Sequence, residues 1–200
     1  MNACVLYSGG KDSSLMAVML QRMGIRPELV TANFGVHESW KPALKSAESL
    51  GFPHRVLKLD GEVLEDAAKT VIHDGFPNNG INMIHRAVIE AVADEYDIVA
   101  DGTRRDDRTP KLSRAEIRSL EDRKGVEYIN LNGLGYKTIN RLSSMLFTLK
   151  KEESSIDNSS DYEVEIRCLM DEMGYESGSF FPVHFQTRVT GWRQSQSGGC

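Results

Sequence analysis

A short apolar run, Ala3–Tyr7, is followed at once by Ser8-Gly9-Gly10-Lys11-Asp12-Ser13-Ser14 and then by a helical pattern. No other feature of this chain constrains its fold as strongly. Two adjacent glycines let the backbone turn sharply and approach an anion with no Cβ in the way. The start of the helix offers free N–H groups and the positive end of its dipole. In that helix, Ser13–Met23, Leu15, Met16, Met19, Leu20 and Met23 share one face, and Gly24 supplies the stop. Ser13 and Ser14 are expected to cap it.

The alternation continues down the chain. Glu28–Phe34, Arg55–Leu59, Asp97–Ala100 and Glu127–Leu131 read as further strands. Trp40–Leu50, Gly61–His73, Ile81–Glu95 and Arg114–Lys124 read as helices, and Gly133–Leu149 as one more. Strands separated by helices predict a doubly wound, Rossmann-like parallel sheet of five strands with helices on both faces. A Ser/Asp/Asn-rich linker, 154–161, precedes a helix at Tyr162–Met173 and an extended tail. We therefore expect an α/β domain over residues 1–151, with residues 152–200 as a helix and tail packed on it or trailing from it.

With 40% apolar and 26% charged residues, 200 residues suffice for a proper core. No apolar run approaches the ~20 residues of a membrane span. The N-terminus carries no signal-peptide pattern. Three cysteines far apart, Cys4, Cys168 and Cys200, exclude a disulfide framework and a cysteine-based zinc site, and fit a reducing compartment. A cytoplasmic protein is expected. The net charge of −5 gives no global attraction for nucleic acid, but residues 104–124 hold eight Lys/Arg against five Asp/Glu, a local basic surplus.

Ser8–Ser14 fits neither the G-x-x-x-x-G-K-[ST] nor the G-x-G-x-x-G spacing. It resembles the S-G-G-x-D-S signature of PP-loop ATP pyrophosphatases. A second segment, Asp101-Gly102-Thr103-Arg104-Arg105-Asp106-Asp107-Arg108, leaves the Asp97–Ala100 strand and is similar to the G-H-x-x-D-D segment of the same superfamily. It departs from that segment in having Thr103 at the His position and in its extra arginines. Residues 1–151 as a whole resemble this domain, most closely archaeal-type stand-alone proteins predicted to act in tRNA 2-thiolation.

The resemblance implies that ATP is split between its α- and β-phosphates. Ser8, Gly9, Gly10, Lys11, Asp12, Ser13 and Ser14 would hold the leaving pyrophosphate. Asp12, Asp106 and Asp107 would hold Mg²⁺, with Gly102 and Thr103 beside the nucleotide. Lys11, Asp12, Arg105, Asp106 and Asp107 are the catalytic candidates, with Arg104 or Arg105 steadying the α-phosphate. Ala32, Asn33 and Phe34 stand where relatives hold adenine, although ordinary strand-end packing explains them equally well. The implied partners are ATP, a tRNA and a sulfur- or ammonia-donor protein. No membrane is implied, and a homodimer is compatible.

Weaker signals remain open. Asn79 and Asn82 occupy positions where some relatives carry a C-x-x-C pair, which argues against cluster-based sulfur transfer. Cys4 reads as core. Cys168 reads as core or as a thiol near the cleft, and Cys200 as the end of a loose tail or a swinging thiol. Phe180–Arg193 interleaves aromatic residues with His184, Arg188 and Arg193, as a single-stranded RNA binder or a strand docking on the domain would. Three functions compete: a tRNA-adenylating enzyme, an ATP-dependent amide or amidine ligase on a small molecule, and a non-catalytic nucleotide-binding module. The Asp106–Asp107 pair favours catalysis over the last.

Overall fold

The computed structural model describes residues 1–194. Five strands, β1 (Asn2–Leu6), β2 (Arg26–Asn33), β3 (His54–Lys58), β4 (Ile98–Arg104) and β5 (Glu127–Leu131), form a parallel sheet in the order β3-β2-β1-β4-β5. Ala3–Leu6 of β1 and Ile98–Ala100 of β4 are apolar without a break, as expected of strands covered on both faces. Ala3, Cys4 and Val5 of β1 and Val99 and Ala100 of β4 are fully buried.

The helices are α1 (Lys11–Arg22), α2 (Lys41–Leu50), α3 (Gly61–Asp74), α4 (Asn78–Val92), α5 (Arg114–Lys124), α6 (Tyr136–Leu146) and α7 (Tyr162–Glu172). One core lies between the sheet and α3, α4, α5 and α7, around Leu64, Val88, Leu120 and Ile166. The other lies under α1, α2 and α6, around Leu15, Leu20, Ala47 and Ile139. The doubly wound expectation is met. No helix among the described residues is long and apolar enough to cross a membrane.

One expected helix is corrected. Gly133–Leu149 does not form a single helix: α6 ends at Leu146, and Phe147 opens a strand, β6 (Phe147–Glu153). It pairs antiparallel with β7 (Phe185–Trp192), a separate two-stranded sheet. The helical period ran on through buried Phe147 and half-buried Leu149, but the partner that makes this segment a strand lies some forty residues further along the chain.

The aromatic tail segment thus docks on the domain. Phe181 is buried, and the Trp192 indole donates to the Leu50 carbonyl. The expected division at residue 151 falls inside β6, and α7 beyond it packs on α3 and α4. Cys200 lies outside the described residues.

Candidate functional site

In an order of this kind the crossover direction reverses between β1 and β4, so the loops after these strands diverge and leave a cleft at the strands' carboxyl ends. The cleft here has a volume of about 610 Å³, within the ~300–1,000 Å³ usual for small-molecule sites. Ser8, Gly10, Lys11, Asp12 and Ser13 line it from the β1 side, and Gly102, Thr103, Arg104 and Asp107 from the β4 side. The two sequence motifs therefore share one cleft.

The glycines fit their positions for distinct reasons. Gly9 adopts φ +75°, and its missing Cβ would press on Ala43 and Ser46 of α2. At Gly102 a Cβ would stand 2.5 Å from the Ser13 amide nitrogen, so β4 approaches the start of α1 as closely as backbone allows.

Neither Ser13 nor Ser14 caps α1. Gly10 is the N-cap and the helix has no side-chain cap. Both serines sit inside the first turn, so the Ser13 hydroxyl turns back to the Gly10 carbonyl, at 3.3 Å, and Ser14 Oγ pairs with the Tyr7 hydroxyl at 2.9 Å. The first-turn amides of α1 are left without a side-chain acceptor, facing the cleft. Strand β7 braces the same loop: the Val189 amide donates to the Gly9 carbonyl at 3.0 Å, and Arg188 bridges Gly10.

Charge at this end is concentrated and internally balanced. Lys11 Nζ lies 2.6 Å from Asp12 Oδ1, and Arg104 Nε lies 3.4 Å from Asp12 Oδ2. Arg104 also pairs with Asp107, whose Oδ2 accepts from the Arg104 amide at 2.8 Å. Asp107 first, with Asp12 and Asp106 assisting, holds the Arg104 guanidinium in its charged form more firmly than usual. The Tyr136 ring stands 5.6 Å from Lys11 Nζ and 5.4 Å from the Arg104 guanidinium carbon.

Not every expected residue comes to the cleft. Arg105 is exposed and reaches instead toward Gly135. Arg104, the last residue of β4, is the arginine that faces in, paired with Asp12 and Asp107, whereas Arg105 already lies in the turn beyond the strand. Asp106 is also outside the lining; its carboxylate accepts from the Tyr136 amide, which draws its pKa down. Ser14 and Gly9 lie behind the loop. Of the adenine candidates only Ala32 lines the cleft, while Asn33 and Phe34 line a neighbouring one. Asn82 accepts from the Thr109 hydroxyl and the Lys111 amide, tying down the loop after β4. Asn79 pairs with Asp74.

Of the basic surplus in 104–124, Arg123 is paired with Glu90 and Lys124 with Asp94, while Glu116, one of the segment's acids, pairs with Arg86 of α4. Burial pushes the Cys4 and Cys168 thiols up, away from the nucleophilic thiolate form.

Sequence reasoning did not find the rest of the cleft. At its floor His85 of α4 and Asp101 of β4 are both buried, with His85 Nε2 2.9 Å from Asp101 Oδ2 but off the hydrogen-bond line. Asp101 also accepts from the Tyr128 hydroxyl and from the Thr103 amide, and His85 Nδ1 meets the Tyr162 hydroxyl at 3.3 Å. Burial by itself would raise the Asp101 pKa, but His85, Tyr128 and the Thr103 amide together bring it below the usual value. On the far wall, Asp161, Tyr162 and Glu163 at the start of α7 and His184 before β7 complete the lining. For His85, Asp161 and Glu163 the signals available are a histidine between apolar helix positions and acids at a helix start, while His184 stands out only within the aromatic and basic Phe180–Arg193 segment.

This is an α/β protein with an uncapped helix start, a lysine and an arginine beside it, in a cleft at the switch point, an arrangement chemically suited to a small anion. The model of the Family of unknown function (DUF7411) matches residues 1–191, and the chain belongs to that family. It is 50% identical over 195 residues to the uncharacterized protein MJ0690 of Methanocaldococcus jannaschii, covering 97% of this chain and 98% of that protein. It is also similar to a crystal structure described as a predicted subunit of tRNA methyltransferase from Methanocaldococcus jannaschii, with a TM-score of 0.91 and 49% identity over 98% of this chain and 100% of the other.

Proposed function

We propose that the chain is an ATP-cleaving enzyme of the PP-loop type that adenylates an acceptor, a tRNA base, and releases AMP and pyrophosphate. The observation that carries this reading is the uncapped start of α1, opposed across one cleft by Arg104 and Asp107. A triphosphate suits it. The amides of the first turn supply donors, Lys11 supplies charge, and Gly102 keeps side-chain atoms out of the approach.

An acceptor oxygen attacks the α-phosphorus, the bond between that phosphorus and the bridging α–β oxygen breaks, and pyrophosphate departs into the Ser8–Ser13 loop. Lys11 and the loop amides stabilise the charge that develops on it, and Arg104, in place of Arg105, steadies the α-phosphate. A sulfur or nitrogen nucleophile from a donor partner then displaces AMP from the acceptor. Asp12 and Asp107 line the cleft and are the residues that would hold a Mg²⁺ ion; Asp106 does not line it. Such an ion would offset the negative charge of the phosphates.

The tRNA acceptor rests on the similarity to the M. jannaschii structure described as a predicted subunit of tRNA methyltransferase. Exposed Arg105 and half-buried Lys111 beside the cleft are compatible with a phosphate backbone.

The test follows ATP labelled at the α-phosphate, with and without total tRNA. AMP that appears only with RNA is the expected result. AMP that depends on ammonia or glutamine and ignores RNA would indicate a small-molecule ligase. Nucleotide binding with no pyrophosphate under any condition would remove the catalytic reading.

A further inference from the structure

The far wall of the cleft carries a second group of ligating side chains, independent of the phosphate loop. We propose that Asp161, Glu163 and His184 form a binding site for one divalent transition-metal cation of the Zn²⁺ class. Each offers one donor atom, and the three atoms lie within 4.8 Å of one another.

The other atoms of these side chains are already engaged. Ser159 Oγ donates to Asp161 Oδ2 at 2.8 Å, and Arg167 Nη1 to Glu163 Oε1 at 3.2 Å. His184 Nδ1 lies 3.3 Å from the Pro182 carbonyl oxygen, an acceptor, so the proton sits on Nδ1 and the Nε2 lone pair is left over. Outer partners of this kind fix and orient metal ligands. What remains is one oxygen on each carboxylate and one ring nitrogen.

Asp161 supplies the sharpest observation. It occupies the N-cap position of α7, where an aspartate ordinarily accepts from the helix amides, yet its side chain makes no capping bond. Its Oδ1 is shielded from solvent and has no hydrogen-bond partner. A buried carboxylate oxygen without a donor is costly, and a bound cation removes that cost. The favourable dipole at a helix start accounts for two acids there. It does not account for the misdirected cap or for the histidine brought in from the segment before β7.

Two carboxylates and an imidazole suit Zn²⁺, Mn²⁺, Fe²⁺ or Co²⁺ better than Mg²⁺, which prefers oxygen donors. Three protein ligands leave a position open to the cleft, the pattern of working rather than purely structural zinc sites. All three residues line the same cleft as Lys11 and Asp12.

The experiment uses the full chain, stripped with chelator and titrated calorimetrically with Zn²⁺ alone, in the absence of nucleotide. One Zn²⁺ per chain is expected. Glu163→Gln and His184→Ala should each weaken binding roughly 100-fold or more, and Asp107→Asn should leave it unchanged. Circular dichroism melting checks the fold of each variant, and partly exposed His184 gives a readable variant should Glu163→Gln unfold. Co²⁺ loaded in place of zinc should show d–d bands without thiolate charge-transfer absorption. The proposal is overturned by wild-type protein that binds no stoichiometric Zn²⁺, by binding that survives His184→Ala, by loss through Asp107→Asn, or by a thiolate band.

Discussion

Two loops leave neighbouring strands at the same end of the sheet, and both gather backbone amides into a hollow. After β1, the start of α1 has no side-chain cap, and its hollow opens into the cleft. After β2, the amides of Phe34, Val36 and His37 and the Ser39 hydroxyl all converge on the buried carboxylate of Glu165, at 3.0–3.3 Å. One hollow is filled by the chain's own helix α7, and the other has no side-chain acceptor. A donor cluster satisfied from within serves the fold, whereas one that is left open, with cations and close backbone around it, is available for function. The start of α5 belongs with the filled kind, since Ser113 and Glu116 close it with a reciprocal capping box.

The largest effect expected from this contrast is on chemistry. Lys11→Ala should lower AMP formation by about 10²–10³-fold, or ~2.7–4 kcal/mol of transition-state stabilisation, while the melting curve stays put. AMP release at the wild-type rate would break the contrast at its open end.

Next comes Glu165→Ala, which leaves four donors facing a void. A loss of about 2–4 kcal/mol in denaturant unfolding is expected, and a change below about 0.5 kcal/mol would show that the β2 hollow does not need its carboxylate. Gly102→Ala should cost about 1–3 kcal/mol, because its Cβ meets backbone that has no room to give. It should also weaken nucleotide binding by displacing the first turn of α1, so an unfolding loss with unaltered affinity would separate the two hollows less cleanly than we hold.

The smallest effect belongs to α5. The Ser113 hydroxyl and amide, with Arg86, hold the Glu116 carboxyl at about 2 against an ordinary 4.5. With the folded value depressed, the stabilisation is fully present above about pH 4.5 and is lost as pH falls toward about 2. Glu116 is partly exposed and screened by solvent, so the slope should be slight, and Glu116→Gln should abolish it. An identical acid slope in the variant would remove Glu116 from that role.

The five parallel strands and their helices were legible because each is a local pattern: an apolar run or a 3.6-residue stripe closed by glycine. The glycine-rich turn between β1 and α1 was legible for the same reason, since seven consecutive residues carry it. What escaped depends on distance. β6 is a strand only because β7 lies beside it. Glu165 contacts amides about 130 positions earlier, and the His85–Tyr162 contact spans 77. Neither leaves a trace in any window of the sequence. Arg104 closes β4 and Arg105 opens the turn that follows, and spacing from the motif could not choose between neighbours. The expectation that Ser13 and Ser14 cap α1 failed because the helix begins two residues earlier than its apolar stripe, putting both inside it.

The most direct test of the open hollow is an amide ¹H–¹⁵N titration of the assigned protein with the Mg²⁺ complex of an ATP analogue carrying methylene in place of the α–β bridging oxygen. We expect Lys11, Asp12 and Ser13 to shift strongly, with Phe34, Val36 and His37 unmoved behind Glu165. Large shifts at Phe34–His37 with a silent α1 start would contradict the assignment of the triphosphate to the loop after β1.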